Sequence, residues 1–158
     1  MTYRYWDSAT FIGWLEAEPD RVSACRPVIV AAQKGEVRII TSALTLTEVL
    51  WMKHHPLIPK ERASKIHRFF LHEWIIVRDL DRTVAEMARE LVWDRRVKPK
   101  DAIHLATALS TGVKVEQFDT FDQELIDLSG KIDDPPLRIG RPNLQESLPF
   151  EANAVEPA

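Results

Sequence analysis

Four carboxylates are the residues best placed to do chemistry: Asp7, Glu48, Asp101 and Asp122. Asp101 stands out. It lies in the first turn of an alanine-rich helix read from Lys98 to Leu109, on the same side as the apolar Leu105. A helix apolar around most of its circumference is buried. A carboxylate entering a core without a partner is costly, and no Lys or Arg follows Lys100 on this helix. The spacing therefore asks for a cation from elsewhere.

The other three acids sit where strands end. Tyr3 to Trp6 reads as a first strand that stops at Asp7, which with Ser8 can cap a helix from Ala9 to about Glu16. Val37 to Thr41 is a β-branched second strand, followed by a helix that carries Leu44, Glu48 and Trp51. Trp74 to Val77 is a third strand and Val113 to Phe118 a fourth, with Asp119 to Asp122 as its exit turn. Leu137 to Ile139 makes a short fifth. Helices are read between them, from Arg21 to Lys34 with Pro27 as a break or restart, from Lys60 to His72, and from Asp81 or Thr83 onward.

Strands alternating with helices predict an α/β fold, a three-layer α/β/α sandwich around a mainly parallel sheet. Ligands of such sheets sit at the carboxyl ends of the strands. Asp7, Glu48 and Asp122 leave strands at that edge, and the Asp101 helix enters from it. Four converging carboxylates repel one another and raise each other's pKa. Oxygen donors without thiolates select a hard divalent ion, Mg²⁺ or Mn²⁺. A water on such an ion can attack a phosphodiester. Arg95, Arg96, Lys98 and Lys100 cluster beside Asp101 and are suited to phosphates, or else to the solvated end of the preceding helix.

Bulk properties narrow the classes. The chain has 158 residues and a formal charge of −3, which argues against a general polyanion binder. Its one cysteine, Cys25, excludes an intramolecular disulfide or a cysteine-rich zinc site. No signal-peptide run or membrane-length apolar stretch is read, so the expectation is a cytoplasmic protein with no membrane partner. Residues 1–140 read as one domain, and 141–158, with prolines and few bulky apolar residues, as an extended or mobile tail. His54-His55 runs into Pro56 and reads as loop, and His104 as a hydrogen-bonded structural histidine.

The segments Tyr5-Trp6-Asp7-Ser8-Ala9, Thr47-Glu48-Val49, Asp101-Ala102-Ile103-His104-Leu105-Ala106 and Thr120-Phe121-Asp122 resemble, in order and spacing, the four acidic motifs of PIN-domain ribonucleases. The small bacterial branch, the VapC-type toxins of toxin–antitoxin modules, is the nearest in pattern. The resemblance spans about Tyr3 to Ile139. It implies a metal-dependent endoribonuclease, with a cognate antitoxin and often a homodimer. It places Asp7, Glu48, Asp101 and Asp122 as the metal-binding acids, with Ser8 and Thr120 as small polar neighbours. Arg96, Lys98 and Lys100 are the weaker candidates for holding RNA. Asp119 stands where the family has an apolar strand residue, which makes it an alternative to Asp122. The competing readings are a PIN-like protein or RNA interaction module without catalysis, and a phosphoacceptor receiver domain, for which the paired acids after the first strand are missing.

Overall fold

The computed structural model describes residues 1–51 and 57–144. Five strands form one sheet: β1 (Thr2–Trp6), β2 (Val37–Ser42), β3 (Ile75–Arg78), β4 (Val115–Asp119) and β5 (Ile139–Gly140). All the pairings are parallel, in the order β3-β2-β1-β4-β5. The chain first walks outward from β1 to β3, then returns across β1 to lay down β4 and β5. The reversal lies between β1 and β4, where ligand crevices of open α/β sheets form.

Both faces of the sheet are covered, as the alternation of strands and helices predicts. On one face Tyr5, Ile40, Phe118 and Ile139 pack with Val84 and Ala88 of α5 (Arg82–Arg95) and with Ala102, Leu105 and Ala106 of α6 (Pro99–Leu109). On the other, Trp6, Val37, Ile39 and Ile75 meet Phe11 of α1 (Ser8–Leu15), Val28 and Ile29 of α2 (Pro19–Gln33), and Ile66 of α4 (Lys60–Phe69). Tyr5 and Trp6 go to opposite faces because successive strand residues do.

Local chemistry explains most of the boundaries. Asp7 caps α1 by accepting from Thr10 N, and Asp81 caps α5 by accepting from Val84 N. Pro19 opens α2 at a position where no backbone donor is needed. Pro27 does not break α2, contrary to the sequence reading: the helix continues through it with the ring on the exposed side. Burial of Cys25, Val28, Ile29, Ala31 and Ala32 on the opposite stripe outweighs one lost hydrogen bond. The helix after β2 is also shorter than expected. It is a single turn, α3 (Leu44–Glu48), and Glu48 is its last residue. Asp119 closes β4 rather than lying in its exit turn, and Asp122 caps α7 (Gln123–Ile126). His54 and His55 fall outside the described residues, as does most of the tail read from 141 onward.

Candidate metal centre

The register places the acids. Trp6 pairs with Asp119 across β1 and β4, so the next residues, Asp7 and Thr120, leave the two strands side by side. Thr120 Oγ1 donates to Asp7 Oδ2 at 2.6 Å. The other oxygen, Oδ1, accepts from Thr10 N at 3.0 Å and Thr10 Oγ1 at 2.7 Å. Thr10 shares its hydroxyl with Asp119 O, which ties the start of α1 to the end of β4. Asp7 is thus a rigid, buried carboxylate whose oxygens keep further lone pairs.

Asp101 rises from the first turn of α6, half-buried, with no donor or ion pair to its carboxylate among the described residues. Its pKa is pushed from 3.8 to about 6, by burial first and then by the charges of Asp122 and Asp7. The charges of Asp122 and Asp7 thus act on Asp101 across the end of the sheet. Asp122 accepts from Glu124 N at 2.9 Å through Oδ1. Its other oxygen has no donor among the described residues.

Glu48 is held differently. Burial raises its pKa, but hydrogen bonds from His104 and Ser8 and the nearby Lys100 charge together bring it below 4.5. Ser8 Oγ donates to Glu48 Oε1 at 2.7 Å, and His104 Nε2 lies 2.9 Å from the same oxygen. On the other side of the ring, Tyr5 Oη is 2.7 Å from Nδ1. Burial, and then the Asp7 charge, keep the phenol protonated. An ionised Glu48 can only accept, so Nε2 donates to it, and in the neutral ring Nδ1 then accepts from Tyr5 Oη. The sequence reading has His104 as a hydrogen-bonded histidine, but it gives no hint that the partners are Tyr5, Ser8 and Glu48, which lie on three other elements.

Asp119 has a separate place. It is fully buried, and its oxygens accept from Arg4 Nε at 3.1 Å, Trp6 Nε1 at 2.8 Å and Gln117 Nε2 at 2.8 Å. Burial drives its pKa up while Arg4, Trp6 and Gln117 pull it back. All of these partners are core residues of β1 and β4, so the Asp119 carboxylate serves the sheet. Arg4 and Gln117 carry no sequence signal for this role beyond an inward strand parity.

The cations lie at the rim. Lys98 reaches Glu124 Oε2 at 3.7 Å, with both side chains exposed. Arg96, exposed, ends α5 in the left-handed region with φ 54°. Lys100 lines a surface pocket of about 300 Å³ with Ser8, Glu48 and Trp51.

Among the described residues, no three His, Cys, Asp or Glu side chains are gathered tightly enough to hold an ion as they stand. Glu48 is turned to His104 and Ser8. The donor set nevertheless fits a hard divalent cation. It is all carboxylate oxygen, it is mutually repulsive, and it includes one half-buried acid, Asp101, to which no side chain brings positive charge directly. No helix among the described residues is long and apolar enough to cross a membrane.

No curated protein matches the chain. Among solved structures, a chain from a "Toxin-antitoxin complex from Klebsiella pneumoniae" is similar in fold. It is 19% identical with a TM-score of 0.54, over 80% of this chain and 91% of that chain. The family model for the PIN domain matches residues 4–131, a span that runs from within β1 through β4 and holds all four acids. By that match, and with the all-parallel order β3-β2-β1-β4-β5, the chain belongs to the PIN domain family.

Proposed function

We propose that this PIN domain is a divalent-metal-dependent endoribonuclease, the toxin of a toxin–antitoxin pair. The observation that carries the reading is a half-buried Asp101 with no donor or ion pair among the described residues, at the edge where Asp7 is held by Thr10 and Thr120 and Asp122 keeps one oxygen without a donor. PIN domains are typically nucleases, and the structural neighbour comes from a toxin–antitoxin complex. A protein antitoxin that covers the crevice, a homodimer and a cytoplasmic setting belong to the same proposal.

Asp7, Asp101 and Asp122 would hold Mg²⁺ or Mn²⁺, with Glu48 joining them directly or through a water. Such an ion, when bound, supplies a nucleophilic water at neutral pH and charge for the oxygens of the cleaved ester. We leave Asp119 out of the set, a choice supported by its engagement with Arg4, Trp6 and Gln117. The chain's own contribution is positional. Thr10 and Thr120 fix both oxygens of Asp7. The buried body of α6, Ala102 to Ala108, fixes Asp101. Tyr5 and His104 orient Glu48. Lys98, Lys100 and Arg96 stand at the rim where a phosphate chain would enter.

The test is cleavage of single-stranded RNA by the purified protein with Mn²⁺, with EDTA, and in the variant Asp101→Asn. Cleavage is expected in the first case alone, with circular dichroism unchanged in the variant. Undiminished cleavage by Asp101→Asn, or by wild type in EDTA, would overturn the proposal.

A further inference from the structure

The five tryptophans differ in what covers them. Trp6 is buried and bonded to Asp119. Trp14 lies under Arg26, at 5.9 Å from guanidinium to ring. Trp74 stacks on His72 at 4.9 Å. Trp51 and Trp93 are open, and Trp93 is the more exposed at 82%. It stands on the outer face of α5, since the inner stripe of that helix is Val84 and Ala88. Arg89 lies one turn back on the same face, at i−4. Arg96 lies just ahead. Together with Glu90 and Val92, these residues line a surface cavity of about 660 Å³.

Arg96 connects this cavity to the acids. It also lines a smaller notch of about 110 Å³, together with Lys98, Asp101 and Glu124. Its left-handed backbone, φ 54°, turns the chain out of α5 between the two. A path therefore runs from Asp101, past Lys98 and Arg96, to an uncovered indole flanked by two guanidinium groups. On a chain of formal charge −3, this is a local cationic run, Arg95 to Lys100, set against an aromatic surface. Cations that follow a phosphate chain and an aromatic face that takes a base are the two parts of single-strand recognition.

We propose that Trp93, with Arg89 and Arg96, is a stacking subsite for an unpaired base of the RNA, outside the cleaved step, and that the strand reaches it from the acids along Lys98 and Arg96. The inference rests on the ribonuclease reading. Trp93 is a positioning residue: it grips the strand and touches no reacting atom.

The experiment compares wild type with Trp93→Ala and Trp93→Phe on single-stranded RNA of about ten nucleotides. The KM for Trp93→Ala is expected to rise about tenfold or more while kcat changes little, and Trp93→Phe should keep most of the affinity. Arg96→Gln should lower the slope of log affinity against log salt by about one. In the cleavage-silenced Asp101→Asn background, RNA binding should weaken in parallel with the KM. Wild-type KM in Trp93→Ala, with cleavage still abolished by Asp101→Asn, would overturn the subsite and leave the nuclease standing. Wild type that cleaves no RNA would overturn both. Sedimentation adds a further arm: a wild-type dimer that Trp93→Ala turns into a monomer would make this face a contact between copies, and the subsite would fall.

Discussion

Arg4 and Asp119 form an ion pair wholly inside the protein, 2% and 0% exposed, with Asp119 one residue along the chain from Thr120, which donates to Asp7. Two neighbouring carboxylates at the end of one sheet, Asp7 and Asp119, thus have opposite fates. One is answered by a guanidinium and serves the sheet. The other is answered by a backbone amide and two hydroxyls, with no cation paired to it among the described residues.

Removing one partner of that pair leaves a buried charge. Arg4→Met is expected to cost about 3–5 kcal/mol in urea unfolding. The double variant Arg4→Met/Asp119→Leu should regain a large part of the loss, because a well-packed apolar pair often replaces a buried ion pair without penalty. Recovery stays incomplete because Trp6 Nε1 loses its acceptor and Gln117 Nε2 keeps only Arg141 O. A double variant no more stable than Arg4→Met would contradict this account.

The acid crevice should trade stability for function. Asp101 has a folded pKa of about 6 against an ordinary 3.8, so the folded state holds its proton more tightly than the unfolded state does. Stability from this group is therefore fully present below about pH 4 and lost as pH rises through 6. Without metal, Asp101→Asn should melt above wild type at pH 7.5, and the gap should close toward pH 4. Adding Mn²⁺ should reverse the order at pH 7.5, since a ligand bound to the native state alone raises its melting temperature. Thermal melts at both pH values, with and without Mn²⁺, test each sign.

His104 should govern metal binding without being a ligand. Its Nε2 and Ser8 Oγ together fix Glu48 Oε1. Loss of a group that orients a ligating carboxylate commonly costs 10–100-fold in affinity. His104→Ala should weaken calorimetric Mn²⁺ binding by about that range, and Tyr5→Phe by less, because the ring then loses only the anchor at Nδ1. Unchanged Mn²⁺ affinity in His104→Ala would show that Glu48 is positioned without it.

Cys25 should be chemically silent. It is fully buried between α2 and the sheet, and burial, followed by the charges of Asp119 and Asp7, pushes its thiol up to about 12. Thiolate is the reactive form. A thiol reagent should label the native protein negligibly at pH 8 and fully in denaturant. Rapid native labelling would mean that α2 opens from the sheet.

The parts legible in the sequence are those set by local pattern. The alternation of apolar strands and amphipathic helices suffices for a parallel three-layer sandwich. Asp101 is visible because one carboxylate interrupts an otherwise apolar helix. The parts not legible depend on partners distant along the chain. Asp119 reads as a rival to Asp122, and its pairing with Arg4, 115 residues away, leaves no trace in the sequence. The pairing of His104 with Tyr5 depends on α6 crossing over β1, which no spacing rule supplies. Pro27 reads as a break because its missing donor is a local property, whereas the buried stripe that carries α2 past it is a tertiary one.

The end of β1 has a consequence for how this protein can vary. Trp6, Asp7 and Ser8 reach three different partners: Asp119 in the core, Thr120 at the crevice and Glu48 on α3. An ordinary surface strand tolerates change at every second position. Here a saturation library should show an unbroken block of intolerance from Arg4 to Ser8, five neighbouring codons in a row, with no alternation to mark a solvent side. The strand behaves less like a beam with two faces than like a junction box: moved by a single residue, it would break all three links at once.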